Sequence, residues 1–316
     1  MQLRYPRWIH AEGRTHRIIS MGEEDTIFEI KTPSLMEDPN LSRNASSSRA
    51  IPTERFIQDV LEDTAYPVWW GKNQPGMQAR EENNEFVEMV AQYDMNDQLD
   101  YQLLKLTRED GFEAARDYAI MVARAYAKAG YHKQIVNRFL EPYSHINVLV
   151  SATTWDNFFE LRDHPDAQPE IQELARAMKA ALEGSTPVYL MNGSWHLPYV
   201  DLGSEEGGRI EWWARNIKDD RHSGYSPQLP PEKWMHRTVL LGQQISVARC
   251  ARVSYLTHDG KEPDIQSDLA LYDRLVGSKP LHASPAEHVA TPMPGRWGNF
   301  TGWKQHRQFL EEIDQS

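Results

Sequence analysis

Residues 41–52, LSRNASSSRAIP, set Arg43 and Arg49 on either side of a run of small hydroxyl residues. Serine hydroxyls and backbone N–H groups at a turn supply short donors, and arginine adds a planar fork, so the stretch has the makings of a cradle for phosphate. A polar surface loop has the same composition, and the residues alone leave both readings open. Arg138 and Arg162 raise a related question, because each lies in an otherwise apolar helical pattern. A guanidinium there must meet a ligand or an internal carboxylate such as Glu141, Asp156 or Asp163, since burying it bare is costly. Glu287 and His288 are adjacent and point apart on any regular element, which argues against a direct acid–base dyad and suits a structural histidine. Cys250 follows Arg249 and precedes Arg252 by two, an arrangement that lowers a thiol pKa, yet it equally suits a buried helical position.

The elements that must position these groups follow from pattern. TIFEIKTP alternates apolar and polar residues, so residues 1–34 read as short strands. After Pro52, Phe56, Ile57, Val60 and Leu61 share one helical face, with Thr53 the expected N-cap. YPVWWGKNQPGM, broken by Pro67, Gly71, Pro75 and Gly76, reads as a long ordered loop. Residues 81–129 carry helical spacing up to Gly130, and HKQIVNRFLEPY extends it in a second helical stretch. HINVLVSAT has the β-branched content of a buried strand, although a helix-flanked segment is equally open. Two helices broken at Pro165 follow, the second ending at Gly184. Residues 185–235 read as loop, with prolines at 187, 198, 227, 230 and 231, and IQSDLALYDRLVGSK as a helix stopped by Gly277. No internal repeat occurs.

The 316-residue chain, 40% hydrophobic and 25% charged, has the material for a sizeable core. A net charge of -12 without a basic stripe argues against nucleic acid as a partner. One cysteine excludes an intrachain disulfide and paired-cysteine zinc sites. The dispersed histidines and the lack of H-E-x-x-H predict no metal, and neither a P-loop nor a dinucleotide-binding glycine motif is present. No apolar run reaches the roughly 18 residues of a membrane span, so a soluble, cytoplasmic protein is expected.

SRNASSSRA resembles the second half of the signature of the flavin-dependent thymidylate synthases, R-H-R-x-x-S-x-N-E-x-S-x-R-Y. Ser42, Asn44, Ser47 and Arg49 fall in register, with Ala45 in place of the glutamate and Ala50 of the tyrosine. NRFLEPY and WDNFFELRDHPDAQPEIQELA are similar to the family's later nucleotide-binding segment. CARVSY, DLALYDRL, SPAEHV and GWKQHR resemble pieces that lie near the family's N-terminus, with Gln305 replacing the first signature arginine. The resemblance therefore implies a single catalytic domain, 1–316, with circularly permuted motif order, in which 53–130 and 185–240 are insertions or extensions.

What the family implies is an α+β fold, long helices packed on a mixed or antiparallel sheet, and a homotetramer or other homo-oligomer with shared sites. Its activity is C5 methylation of a deoxypyrimidine monophosphate, dUMP to dTMP, with FAD as cofactor and methylenetetrahydrofolate and NADPH as co-substrates. Ser42, Asn44, Ser47 and Arg49 would hold the nucleotide, Ser47 donating to the phosphate. Arg138 and Arg162 would contact it, Arg162 reading the pyrimidine edge and stabilising charge there. Asn157, His288, His306 and Arg307 would line the flavin site. The departures at Ala45 and Gln305 open an alternative product, a 5-hydroxymethylpyrimidine nucleotide made from dUMP or dCMP. A non-catalytic nucleotide-binding protein that has lost flavin is the third reading.

Overall fold

The computed structural model describes residues 1–9, 41–45, 47–76, 79–95, 98–216, 231–253, 264–278, 284–298 and 300–314; for 41–45, 91–95, 98–101, 216, 231 and 313–314 it describes the backbone alone. The strand expectation for TIFEIKTP lies outside them. β1 (Gln2–Pro6) leads into a 3-10 turn, Arg7–Ile9, and β2 (Leu41–Ala45) into another, Ser48–Ala50. α1 (Thr53–Glu62) buries Phe56, Ile57 and Val60 at helical spacing. Its N-cap is Pro52, one residue before the expected Thr53, whose Oγ1 instead donates to Asn137 Oδ1 at 2.9 Å.

Residues 81–129 are helical only in their second part. An antiparallel hairpin, β3 (Val87–Met95) and β4 (Gln98–Leu106), precedes α2 (Arg108–Lys128). The register sets Glu88 opposite Lys105, whose Nζ and Oε1 lie 3.2 Å apart, and Val90 opposite Leu103. Such cross-strand pairs are invisible to a local helical reading. Thr107 caps α2 by accepting from Asp110 N, and Gly130, at φ +87°, takes the left-handed position beyond its end.

The stretch HKQIVNRFLEPY makes one short helix, α3 (Lys133–Val136), then 3-10 turns at Asn137–Phe139 and Glu141–Tyr143, the last shaped by Pro142. β5 (His145–Ala152) runs between β1 and β2, antiparallel to both. Its side chains alternate. Ile146, Val148 and Val150 pack against Phe158 of α4 (Asp156–Arg162) and Ile171, Ala175 and Met178 of α5 (Pro169–Glu183). Leu149 packs instead with Tyr199, Cys250 and Val253, so the C-terminal part of the chain covers the opposite face.

That part is more helical than its prolines suggest. α6 (Glu205–Asn216) lies inside the expected loop, and α7 (Pro231–Arg252) begins on Pro231, whose fixed φ and missing N–H suit a first turn. α8 (Ile265–Val276) ends at Gly277 as expected. A 3-10 turn, Ser284–Glu287, a bulged hairpin of β6 (Ala290–Trp297) and β7 (Phe300–Gln305), and α9 (His306–Asp314) complete the chain. The architecture is α+β, and every strand pairing among the described residues is antiparallel.

Candidate functional site

The hydroxyl run leaves β2 and turns at Ser47. β2 is in register with β5, Ser42 opposite Ser151 and Asn44 opposite Leu149; the side chains of Ser42 and Asn44 lie outside the described set. Asn137, fully buried, holds the turn from below by donating to the carbonyls of Ser48 at 2.7 Å and Ile51 at 3.0 Å. Lys133 adds a bond to Ala50 O at 2.8 Å. Ser48 is therefore buried, and its Oγ donates to Glu141 Oε1 at 2.5 Å. Arg49 is exposed, its Nε 3.4 Å from Ser47 Oγ. Arg138 forks onto the same Glu141 carboxylate at 3.1 and 3.2 Å, which realises one of the ion pairs open to it from sequence. Arg7 lies close behind, over the Phe56 ring and bonded to Ser144 Oγ at 3.1 Å. Burial pulls the Arg7 pKa below that of an ordinary arginine, against the opposing pull of Glu141.

A second cluster sits on the other side of β5. His288 is fully buried, with Nδ1 3.1 Å from Ser151 Oγ. This contact joins the central strand to the Ser284–Glu287 turn, which also packs on β2. Cys250 is buried nearby, and desolvation pushes its thiol pKa up, so it stays protonated and offers no thiolate. Ser151→Ala removes a buried hydrogen bond and should cost about 1–3 kcal/mol in urea denaturation, with Ser151→Thr recovering most of it because the hydroxyl returns. Equal losses in the two variants would show that packing, not the hydroxyl, matters there.

His306 opens α9. Its Nε2 lies 3.2 Å from Tyr272 Oη, Trp195 meets its ring edge-on at 5.8 Å, and Nδ1 has no partner among the described residues. Burial pushes its pKa down to about 4, so the ring is neutral near pH 7. Arg307 is matched by Glu287 and by Glu311 Oε1 at 2.7 Å, and its pKa is raised, chiefly by the bond to Glu311. The backbone N of His306 donates to Val289 O at 2.7 Å, which ties His306 to the segment bearing His288. Arg162 and Asn157, both half-buried, ride on α4, whose Phe158 lies on the opposite face of the sheet from His288. Asp163, a candidate partner for Arg162, takes Arg176 Nε at 3.0 Å.

The fold thus brings Ser48 and Arg138 together on Glu141, beside the turn that carries Ser47 and Arg49, and His288 with His306, while Arg162 and Asn157 belong to α4. Sequence reasoning passed over Ser48 and Ser151; only burial, which needs the fold, separates Ser48 from its neighbours in the run. A cavity of about 340 Å³ between α6, α7 and α8, lined by Arg209, Trp212, Trp213 and Ile265 among others, includes none of the expected site residues.

A sequence profile of thymidylate synthase complementing proteins matches residues 1–188, from β1 through α5. The chain belongs to that family. No curated protein and no solved structure matches it. Membership makes it a thymidylate synthase-like protein of a flavin-dependent family that acts on a nucleotide. The matched region holds the sheet, the hydroxyl turn, Arg138 and α4; His288, His306 and Arg307 lie beyond it. For the flavin, the residues in place fit a ring edge better than a phosphate. His306 presents an unpartnered buried nitrogen without charge, and the charge on Arg307 is already answered by two carboxylates. Among the described residues no helix is long and apolar enough to cross a membrane, and no group of three or more ligating side chains could hold a metal ion.

Proposed function

We propose that this family member methylates C5 of a deoxypyrimidine monophosphate, dUMP to dTMP, with methylenetetrahydrofolate as carbon donor and NADPH as the source of reducing equivalents. The observation that carries the reading is that Ser48 and Arg138 meet on the half-buried Glu141 carboxylate, beside the turn on which Arg49 Nε lies 3.4 Å from Ser47 Oγ, all within the matched region. Two guanidiniums and a hydroxyl are the donors a phosphate dianion requires, and a small cationic seat captures it even in an acidic protein. Ser42 and Asn44, on β2, would contact the same nucleotide. Arg162 would turn its fork to the pyrimidine carbonyls and stabilise charge that develops there. His306 would meet a flavin ring edge through Nδ1, with His288 and Arg307 as further neighbours, and Asn157, on α4 across the sheet, would join them only at a site shared between subunits. Bound FAD, once reduced, supplies the hydride that converts the transferred methylene to methyl.

No protein nucleophile is needed, which agrees with a protonated, buried Cys250. Packing of the Ser284–Glu287 turn on β2 supports a permuted single domain, because motifs from the two ends of the chain become neighbours. Exposed Tyr118 and Met121 on α2, with Val90 and Leu103 on the hairpin, support a homotetramer or other homo-oligomer that completes sites between subunits. A lone cysteine suits a cytoplasmic protein.

A second reading, 5-hydroxymethylation of dUMP or dCMP, is favoured by Gln305. This buried amide stands where the signature has arginine and is engaged with Glu287 O at 2.8 Å and Gln308 Nε2 at 3.1 Å. Purified protein should be yellow and release tritium from 5-tritiated dUMP when given folate and NADPH; no release from dUMP or dCMP rejects C5 transfer. Product mass separates the two readings by one oxygen. Arg49→Ala should weaken dUMP binding about 10- to 100-fold in calorimetry, the range of one charge-assisted bond.

A further inference from the structure

We infer that Glu141 is a resident anion in the phosphate seat, an internal competitor that sets the seat's affinity and its preference for a monoester. The inference rests on the phosphate reading of Ser47, Arg49 and Arg138 given above. The Glu141 carboxylate is bound as a phosphate would be, by a hydroxyl and a guanidinium at once. Ser48 Oγ donates to Oε1 at 2.5 Å, and Arg138 Nη1 reaches both oxygens at 3.1 and 3.2 Å. The acid is the inner partner of this pair, 21% exposed against 58% for Arg138. An incoming anion therefore meets the arginine first and the carboxylate behind it.

The backbone of Glu141 cannot retreat. Pro142 follows it, and its carbonyl accepts from Ser144 N at 3.2 Å and Ser144 Oγ at 3.0 Å. Only its side chain is free to rotate. A phosphate that takes Arg138 must either displace the carboxylate or lie beside it, and both routes weaken binding. Repulsion grows with ligand charge, so a polyphosphate is penalised more than a monoester. With Glu141 in place, the guanidiniums of Arg7 and Arg138 share one carboxylate, and Arg49 stands on the adjoining turn beside Ser47, so cations outnumber the resident anion.

Calorimetry of Glu141→Gln against the parent protein, with dUMP, inorganic phosphate and pyrophosphate as probes, tests this. The variant should bind dUMP and phosphate about tenfold more tightly and pyrophosphate more tightly still, so that the ratio of the two inorganic affinities shifts toward pyrophosphate. Unchanged or weaker binding by a folded variant, with the parent binding dUMP normally, overturns the role of Glu141 and leaves the phosphate reading standing. If neither folded protein binds dUMP, dCMP or phosphate, that reading falls as well. Should the variant fail to fold, carbon-13 spectra of the parent decide: the Glu141 carboxylate resonance should move saturably as dUMP is added, and a resonance that stays fixed while dUMP binds refutes the competition.

Discussion

Asp268→Asn should destabilise the fold by about 3–5 kcal/mol, the usual result of removing one partner from a buried ion pair. Asp268 is 0% exposed on α8 and receives Arg249 Nε at 3.0 Å and Arg252 Nη2, two guanidiniums that are themselves buried. Arg249 also donates to Tyr199 O at 2.7 Å and to Glu206 Oε1 at 2.6 Å. Burial opposes the charge on Arg249, but the bonds to Glu206 and Asp268 outweigh it and hold its pKa above that of an ordinary arginine. Asparagine keeps the shape and removes the charge, leaving two buried cations against one carboxylate. The consequence reaches the site, because Val247 of α7 and Tyr272 of α8 pack with Ala286 and Val289 on either side of His288. Urea denaturation followed by circular dichroism measures the loss; a change under about 1 kcal/mol would mean that water already reaches the network and screens it.

The parts of this molecule legible in its sequence are those fixed by neighbours along the chain. The β-branched run of β5 and the apolar spacing of α1 and α5 are local signals, and so are the glycines at 130, 184 and 277 that close α2, α5 and α8. The β3–β4 hairpin was not legible. Apolar residues at 86, 87, 89, 90 and 93 satisfy helical spacing as readily as alternation, and what decides is pairing with residues up to 19 positions away, Val87 with Leu106. α6 was hidden in a proline-rich stretch, although no proline falls within the helix itself.

The candidate site divides the same way. The pair Arg138–Glu141 is an i, i+3 contact and could be named from spacing. That Ser48 would share the carboxylate could not, since 93 residues separate Ser48 from Glu141 and their meeting depends on Asn137 locking the hydroxyl turn. Ser151 and His288, 137 residues apart, meet only because the C-terminal part of the chain covers one face of the sheet. The family signature found Ser47 and Arg49 from residue order alone, but order carries no burial. Neither the neutrality of His306 nor the double pairing of Arg307 followed from it.

His306 gives the second large effect, and its sign is set by burial. A free histidine titrates near 6.5, whereas the folded protein holds His306 down at about 4, because Tyr272, Trp195 and the surrounding chain exclude the water that a charged ring needs. Above pH 6.5 both the folded and the unfolded chain carry the neutral ring, and the contribution is fully present. As pH falls from 6.5 toward 4, the unfolded chain takes up a proton that the folded one refuses, and stability drops by about 3 kcal/mol across that window. His306→Gln keeps a polar side chain and removes the titration. Its stability relative to the parent should therefore be constant from pH 8 to 7 and improve steadily from 6.5 to 4 in urea denaturation at each pH. Parallel profiles for the two proteins would place water beside the ring and dismiss the burial argument. The same neutrality limits the chemistry: at pH 6–9 His306 has a hydrogen bond and not a charge to offer any ligand, so turnover over that range should show no inflection that His306→Gln removes.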